Sequence, residues 1–208
     1  MDIVRDFELL SKDVGNQEII ALCKENLQKF ISGNESSTEF HSKFIKDAYL
    51  VLIDMSMNFL ELEKIDLDLK IKMLHFLRLL SRDKQLVLSM KDLNHCIVCF
   101  ARCIDRAYLS DADKNCAIEA LKCLLNWTYH SKPVRDCLLN YNTTQSYVKF
   151  LSKSKDNLDD FLHFQLRMIF LMSAHENEFR VSMVKLEVLK TLDSILKLVL
   201  SALENENK

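Results

Sequence analysis

Apolar residues recur along most of the chain at intervals of three and four, the spacing of helices with one buried face. In the stretch 117–130, four apolar residues share such a face: Ile118, Leu121, Leu124 and Leu125. Three polar residues follow each other at intervals of four on the same helix: Lys122, Asn126 and His130. The pattern therefore predicts a buried helix that carries a polar column, with Asp111 or Asp113 as its N-cap.

The same periodicity predicts that most of the chain is helical. The expected helices cover 3–10, 17–31, 66–80, 84–90, 93–107, 134–140, 144–151, 158–173, 179–183 and 186–203. Asp66 or Asp68 is the expected N-cap of the helix that ends near residue 80. Another long helix is expected to run to Phe59, with its N-cap in the Ser-Ser-Thr-Glu sequence of 36–39. The expected interruptions are Gly33-Asn34, the charged stretch 61–66 and Pro133.

The composition excludes several classes of protein. Of the 208 residues, 49% are hydrophobic and 28% charged, but only two are glycine and one is proline. Because a β protein needs turn residues at each hairpin, these counts favour an all-α fold, which we expect to form one domain over 1–208. A formal charge of -2 gives no general attraction to nucleic acid or to anionic membranes. The chain has no nucleophile-elbow, zinc-protease or phosphate-loop motif, so it is not expected to be an enzyme.

The N-terminal sequence and the cysteines indicate the compartment. Met-Asp-Ile-Val-Arg-Asp lacks the basic and apolar regions of a signal peptide, and the apolar run 48–53 is too short to cross a bilayer. Seven cysteines, an odd number, are scattered along the helical patterns, so we expect reduced core residues in the cytosol. A zinc site could be drawn from four residues of one apolar helix: His95, Cys96, Cys99 and Cys103. Core packing is the favoured interpretation, and neither a metal nor a cofactor is predicted.

A repeat underlies the helical pattern. Residues 77–84 superpose on 125–132 with a shift of 48 positions, and 171–175 fit a third copy a further 45 positions on. Periods in the forties are typical of armadillo or HEAT arrays, whose units bury their faces by stacking. We therefore predict an armadillo/HEAT-like right-handed superhelical solenoid of about four helical repeats over 43–200. The less well matched helices of 1–40 precede it, and 204–208 is expected to fray.

The repeat aligns polar residues into rows across the expected concave surface. The rows are Arg78, Asn126 and Leu171; Arg82, His130 and His175; and Leu74, Lys122 and Arg167. Arginine can grip a carboxylate through paired hydrogen bonds, and asparagine can donate to and accept from a peptide backbone. The rows thus predict a groove for an acidic peptide or helix. The alternative is that Asn126 satisfies a neighbouring loop while Arg78 and Arg82 lie on a solvated face.

Three segments resemble the best-marked segments of one family, in the order in which that family has them. Residues 77–83 read Leu-Arg-Leu-Leu-Ser-Arg-Asp, 121–126 read Leu-Lys-Cys-Leu-Leu-Asn, and 164–171 read Phe-Gln-Leu-Arg-Met-Ile-Phe-Leu. Together they are similar to the synembryn family, the resistance-to-inhibitors-of-cholinesterase proteins, over about 43–200. The resemblance implies an armadillo-type array that is a chaperone for newly made G-protein alpha subunits and a non-receptor guanine-nucleotide exchange factor.

The resemblance also implies a partner and a site. The C-terminal helix of the alpha subunit would lie in the concave groove, where Arg78, Arg82, Asn126 and Phe164 match family residues that touch or flank it. The other members of the expected site come from the rows: Lys122, His130, Arg167 and His175. The family's Phe-Phe-Asp-Leu-Arg reads His-Phe-Gln-Leu-Arg at 163–167, so this part of the groove is expected to bind differently. Because the family continues through further repeats, this chain is expected to be a truncated form with partial activity.

Other interpretations stay open at the level of sequence. A generic armadillo or HEAT scaffold for another acidic peptide would use the same rows. Binding of nucleic acid is not expected, because it needs a basic stripe with stacking aromatics rather than the short cluster of Arg78, Arg82 and Lys122. The protein is expected to be cytoplasmic and recruited to the cell cortex through G proteins, without membrane insertion. An uncapped last repeat near 196–203 is expected to self-associate.

Overall fold

A computed structural model describes residues 2–40, 43–62, 65–140, 151, 158–186 and 188–206. Within these residues the fold is all-α, as predicted, with eleven α-helices and no strand. The helices are α1 (Asp2–Lys12), α2 (Gln17–Gly33), α3 (Lys43–Glu61), α4 (Leu67–Leu80), α5 (Lys84–Ser89), α6 (Leu93–Arg106), α7 (Lys114–His130), α8 (Lys132–Asn140), α9 (Asp160–His175), α10 (Asn177–Lys185) and α11 (Val188–Glu206). A 3₁₀ turn, Asp111–Asp113, precedes α7. The predicted helix over 144–151 falls, apart from residue 151, outside the described residues.

Side-chain caps explain where several helices begin. The Asp66 carboxylate accepts the backbone N–H of Leu69 at 2.9 Å, which confirms Asp66 as the N-cap of α4. Asp113 occupies the N-cap position of α7, as predicted, but its side chain makes no capping hydrogen bond. Asp111 instead lies in the 3₁₀ turn, where its carboxylate pairs with Lys114 at 3.0 Å.

The predicted N-cap at 36–39 was wrong, since α3 begins only at Lys43. The backbone N–H of Phe40 donates to the buried carboxylate of Asp83 at 2.5 Å. The Arg82 guanidinium donates to the carbonyl oxygens of Glu35 and Ser37. These contacts come from residues more than 40 positions away in sequence, and they hold 35–40 as a loop rather than as the first turn of a helix.

The chain divides into two compact units, Met1–Ser131 and Lys132–Lys208. In the first unit, α1 packs on α2, α3 on α4 and α6 on α7, so neighbouring helices form pairs. The pairs stack, because α1 contacts α3 and α3 contacts α6, while α2 contacts α4 and α4 contacts α7. The short α5 packs on α3 and α7. The first unit therefore consists of two layers of three helices. The superhelical twist, the number of repeats and a single domain over 1–208 stay predictions.

The core of the first unit is built from large apolar side chains, with Phe7, Phe76, Phe100 and Trp127 all at most 1% exposed. The rings of Phe100 and Trp127 meet edge to face, with centroids 5.0 Å apart, where α6 packs on α7. All seven cysteines are free thiols and six are buried, in agreement with the prediction of reduced core residues. Burial raises the pKa of the Cys116 thiol to about 12, so this sulfur is protonated and unreactive at neutral pH.

The second unit contains α8 to α11, in which α9 packs on α10 and α10 on α11. Arg135 on α8 pairs with Glu176, just before α10, at 2.6 Å and with both side chains largely buried. On α11, Ile195 is buried, whereas Leu196 and Leu200 are 56% and 50% exposed. The fraying of 204–208 and the self-association near 196–203 stay predictions; α11 is helical to Glu206. None of the described helices is both long and apolar enough to cross a membrane.

Candidate partner-binding site

The contact between α4 and α7 gathers three basic side chains around one carboxylate. Glu119 on α7 is only 5% exposed. Its carboxylate oxygens lie 2.6 Å from Lys122 Nζ, 2.8 Å from Arg78 Nε and 3.3 Å from His75 Nε2. We call His75, Arg78, Glu119 and Lys122 the Glu119 cluster. Two of the residues predicted for the site, Arg78 and Lys122, are therefore held next to each other by an acidic residue that the prediction did not include.

The Glu119 carboxylate is ionised in the folded protein. Burial alone would raise its pKa, but the approach of His75, the hydrogen bond from Lys122 and the positive charges of both outweigh that effect and bring the pKa down to about 2. Arg78 adds an ion pair, although its Nε–H is not aligned with the carboxylate oxygen. The side chains of Arg78 and Lys122 stay 22% and 28% exposed. The cluster is therefore buried at its acidic centre and open at its basic edge.

Asn126 ties α7 to the C-terminal end of α4. Its Nδ2 donates to the hydroxyl of Ser81 at 2.7 Å, and Ser81 in turn donates to the backbone carbonyl of Arg78 at 2.6 Å. One turn further along α7, His130 is half-buried and its ring contacts the backbone of Arg82. Burial and the positive charge of Lys84 lower the pKa of His130, so this imidazole is neutral at pH 7.

Arg82 and Asp83 connect the site to the loop before α3. Arg82 donates to carbonyls of that loop, as described above, and Asp83 both accepts from Phe40 and caps α5 through the N–H groups of Gln85 and Leu86. Asp83 is 2% exposed, so it is a structural residue. Part of the Arg82 guanidinium is thus already occupied by the protein's own backbone.

The remaining predicted site residues belong to the second unit and lie on α9. Phe164 is half-buried, and the guanidinium carbon of Arg167 is 5.6 Å from the centre of its ring, within the range of a cation–π contact. The ring of His163 packs against Phe164 edge to face at 5.1 Å. His175 ends α9 and is exposed. Phe164 and Arg167 are therefore brought together, and the joint use of all eight residues by one partner stays a prediction.

Sequence reasoning missed His75 and Glu119, although each carries a signal. Glu119 stands three positions before Lys122, a spacing that puts the two side chains on the same side of a helix. It also interrupts the apolar stretch of α7, where an isolated carboxylate needs a partner. His75 stands three positions before Arg78 on α4. The meeting of these two pairs depends on the packing of α4 on α7, which no local pattern contains.

The cysteine-rich helix α6 and the end of α3 together contribute one group of potential metal-ligating atoms among the described residues. Cys96, Cys99 and Cys103 are buried, in line with the prediction of core packing. The ligand atoms of Glu61, His95 and Cys99 lie within 4.8 Å of one another. However, Glu61 forms an ion pair with Arg102, and the Cys99 thiol lies 3.7 Å from the carbonyl oxygen of Met57. The group thus differs from the four residues considered on sequence, and its atoms already have protein partners.

The comparison with known families adds the last observation. The family model described as guanine nucleotide exchange factor synembryn matches residues 73–208, a range that contains every residue of the predicted site. A search of curated proteins finds no significant match. Nucleotide exchange makes and breaks no covalent bond, so the absence of a catalytic motif from the sequence is consistent with this family. Because the match covers more than half of the chain, the protein belongs to the family of the guanine nucleotide exchange factor synembryn.

Proposed function

We propose that this chain binds the C-terminal helix of a heterotrimeric G-protein alpha subunit and acts as its chaperone and non-receptor exchange factor in the cytoplasm. Family membership implies the G-protein alpha subunit as the partner and nucleotide exchange with chaperoning as the activity. The binding surface consists of Arg78, Arg82, Lys122, Asn126, His130, Phe164, Arg167 and His175, on the concave side of an armadillo/HEAT-like solenoid. Recruitment to the cell cortex would follow from binding to the alpha subunit.

The Glu119 cluster carries this proposal. Glu119 contacts Arg78 only through Nε, and among the described residues no contact uses the terminal N–H groups of this guanidinium. A planar guanidinium can bind a carboxylate through two parallel hydrogen bonds, so these groups suit an acidic side chain or a chain terminus of a partner. Because Glu119 fixes the side-chain orientations in advance, less conformational entropy is lost on binding.

The stacked helical pairs of the first unit support the solenoid. The middle pair, α3 and α4, packs on α1 and α2 at one face and on α6 and α7 at the other, which is how armadillo and HEAT repeats bury their apolar faces. In such an array, Arg78 on α4 and Asn126 on α7 occupy equivalent positions of successive repeats. A helix laid across the repeats would then meet both residues.

The proposed mechanism is a shift of a conformational equilibrium. When the last helix of the alpha subunit is held away from its nucleotide pocket, the nucleotide-bound state rises in free energy relative to the open state. The coupling cannot exceed the difference between the affinities for these two states. Tight binding to the open state alone would therefore produce both nucleotide release and stabilisation of newly made, empty alpha subunits.

Calorimetric titration tests this proposal with synthetic peptides that copy the C-terminal helices of alpha subunits. We expect saturable binding that weakens by about 1–3 kcal/mol, roughly five- to 150-fold, in Asn126→Ala and in the double variant Arg78→Ala/Arg82→Ala. Arg102→Ala is the matched control, because Arg102 forms its ion pair with Glu61 outside the proposed surface. Circular dichroism spectra of all variants would establish that they are folded.

Two outcomes would overturn the proposal. If the folded wild-type chain binds none of the peptides, the proposal that its groove binds the C-terminal helix of an alpha subunit is wrong. Equal binding of an unrelated acidic amphipathic helix would instead favour a generic scaffold. Release of fluorescent guanine nucleotide from an intact alpha subunit, measured with and without the chain, would then show whether binding is coupled to exchange.

A further inference from the structure

A cavity of about 460 Å³ lies on the first unit, where the start of α4 meets the end of α6 and the 3₁₀ turn. Its lining residues are Ile65, Leu67, Lys70, Arg106, Leu109 and Asp113. The volume is in the range of pockets that hold small organic ligands and far exceeds the space taken by an inorganic ion. No residue of the proposed partner-binding surface lines this cavity.

Lys70 is a buried cation that the described part of the protein leaves without a partner. The residue is 7% exposed, yet its ammonium group makes no hydrogen bond or ion pair with any described residue. Burial, followed by the positive charge of Arg106, lowers the pKa of Lys70. Arg106 likewise has no ion pair among the described residues. Two basic side chains therefore face the same cavity with their charges uncompensated by contact.

Asp113 supplies the only carboxylate among the described residues that line the cavity. Its negative charge favours the ammonium form of Lys70, but no hydrogen bond joins the two side chains. One carboxylate against two cations leaves a net positive charge. An anion that enters the cavity would give Lys70 the partner that a buried charge needs.

The rim of the cavity is apolar. Leu109 is 87% exposed and Leu67 is 38% exposed, and both border the two cations. Such exposed leucines lose contact with water when they pack against an apolar group, which favours binding of a hydrocarbon chain. The lining thus combines two positively charged side chains with exposed hydrocarbon.

We propose that this cavity binds a small amphiphilic anion, a carboxylate that carries an aliphatic chain, with the carboxylate between Lys70 and Arg106 and the chain against Leu67 and Leu109. The guanidinium can take the carboxylate through two parallel hydrogen bonds, and the ammonium can donate a third. The volume accommodates such a molecule, and a bare phosphate would leave the leucines in water. This site lies outside the proposed partner-binding function and does not depend on it.

Hexanoate is the probe for the test, in a titration of the full chain to the solubility limit of the probe. Binding is followed by calorimetry and by the side-chain nuclear magnetic resonance signals of lysine and arginine. We expect saturable binding, with affinity at least tenfold weaker in Lys70→Met and in Arg106→Gln. Lys12→Met is the matched control, because Lys12 is exposed at the end of α1, and it should bind like the wild type.

Three further probes test the contribution of the negative charge and that of the aliphatic chain separately. Hexanol keeps the chain without the charge, hexylammonium reverses the charge, and inorganic phosphate keeps a negative charge without the chain. All three should bind at least tenfold more weakly than hexanoate. If hexanol binds as tightly as hexanoate, the proposed ionic contact is wrong. If phosphate binds as tightly as hexanoate, the proposed contact with the leucines is wrong. If hexanoate shows no saturable binding, the proposed site is wrong.

Discussion

Helix α4 carries buried or half-buried basic residues at two places that have contrasting surroundings. Toward its C-terminal end, His75 and Arg78 meet the Glu119 carboxylate of α7. Toward its N-terminal end, Lys70 meets a cavity and the positive charge of Arg106 from α6. The helix itself is similar at both places, with apolar neighbours on either side of each cation. The neighbouring helix therefore decides whether a buried cation of α4 is neutralised.

The comparison separates two uses of a buried charge. In the Glu119 cluster the cations have a partner, and this pairing orients them at the edge of the proposed groove. At Lys70 the cation is buried with no contacting counter-charge among the described residues, so removal of its charge should help folding. The following predictions test this contrast, from the largest expected effect to the smallest.

Loss of the carboxylate at the paired place should cost the most. In Glu119→Gln the side chains of Arg78 and Lys122 keep their partly buried positions but lose their counter-charge, and the free energy of unfolding should fall by about 3–4 kcal/mol. Urea denaturation measures this change. The control Glu25→Gln removes a carboxylate from an exposed pair with Lys29 and should leave the unfolding midpoint nearly unchanged. Equal midpoints for wild type and Glu119→Gln would refute the role of the cluster.

Acid should remove the same interaction in the wild type. The pKa of Glu119 is about 2 in the folded protein, below its ordinary value of 4.5. The stabilisation is therefore complete above about pH 4.5 and disappears as the pH falls toward 2, with a loss of about 2–3 kcal/mol. The difference in stability between wild type and Glu119→Gln, followed by urea denaturation across this range, should shrink at low pH. A difference that stays constant would contradict the lowered pKa.

The unpaired place should respond in the reverse direction. Lys70→Met keeps the length and apolar character of the side chain but removes its buried charge, so the free energy of unfolding should rise by about 1–2 kcal/mol. Thermal unfolding at pH 7 and low salt measures this increase. The control Lys12→Met, at an exposed position, should change the free energy of unfolding by no more than about 0.5 kcal/mol. A destabilised Lys70→Met protein would mean that the ammonium already has a favourable partner.

The hydrogen bond from Asn126 should have the smallest effect on stability. Asn126→Ala leaves the buried hydroxyl of Ser81 without its donor from α7, which should cost about 1 kcal/mol. Asn115→Ala is the matched control on the same helix, since Asn115 is exposed. If both variants unfold at the same urea concentration, the bond between Asn126 and Ser81 contributes nothing to the fold.

Much of the fold follows from local patterns. Helical periodicity and the scarcity of glycine and proline predicted an all-α chain, and the expected breaks at Gly33-Asn34 and 61–66 match helix ends in the structure. The break expected at Pro133 falls two residues earlier, at Ser131, because Pro133 already belongs to the first turn of α8. The start of α3 could not be predicted in the same way. Its loop is held by Arg82 and Asp83, and a contact between segments so far apart in sequence is a property of tertiary packing.

The residues of the proposed site come from the sequence and stay a prediction, whereas their contacts within the protein could not be predicted. The repeat placed Arg78 and Asn126 at equivalent positions, yet their actual partners are Glu119 and Ser81. The alternative interpretation, in which Asn126 satisfies a neighbouring loop, is correct only in that Asn126 donates to a neighbouring helix of the same protein. Its acceptor is the side-chain hydroxyl of Ser81 at the end of α4 rather than a loop carbonyl. Helical spacing also puts Lys70 on the buried face of α4, but its neighbour Arg106 comes from another helix.

The most direct test of the proposed groove is to observe the arginine side chains during binding. In a titration of the wild-type chain with a peptide that copies the last helix of an alpha subunit, the Nε–H resonances of Arg78 and Arg82 are followed by nuclear magnetic resonance. We predict that both shift along saturation curves with the dissociation constant that calorimetry gives, while the resonance of Arg102 stays in place. Saturable binding in calorimetry with no shift at Arg78 or Arg82 would contradict the groove as the binding site.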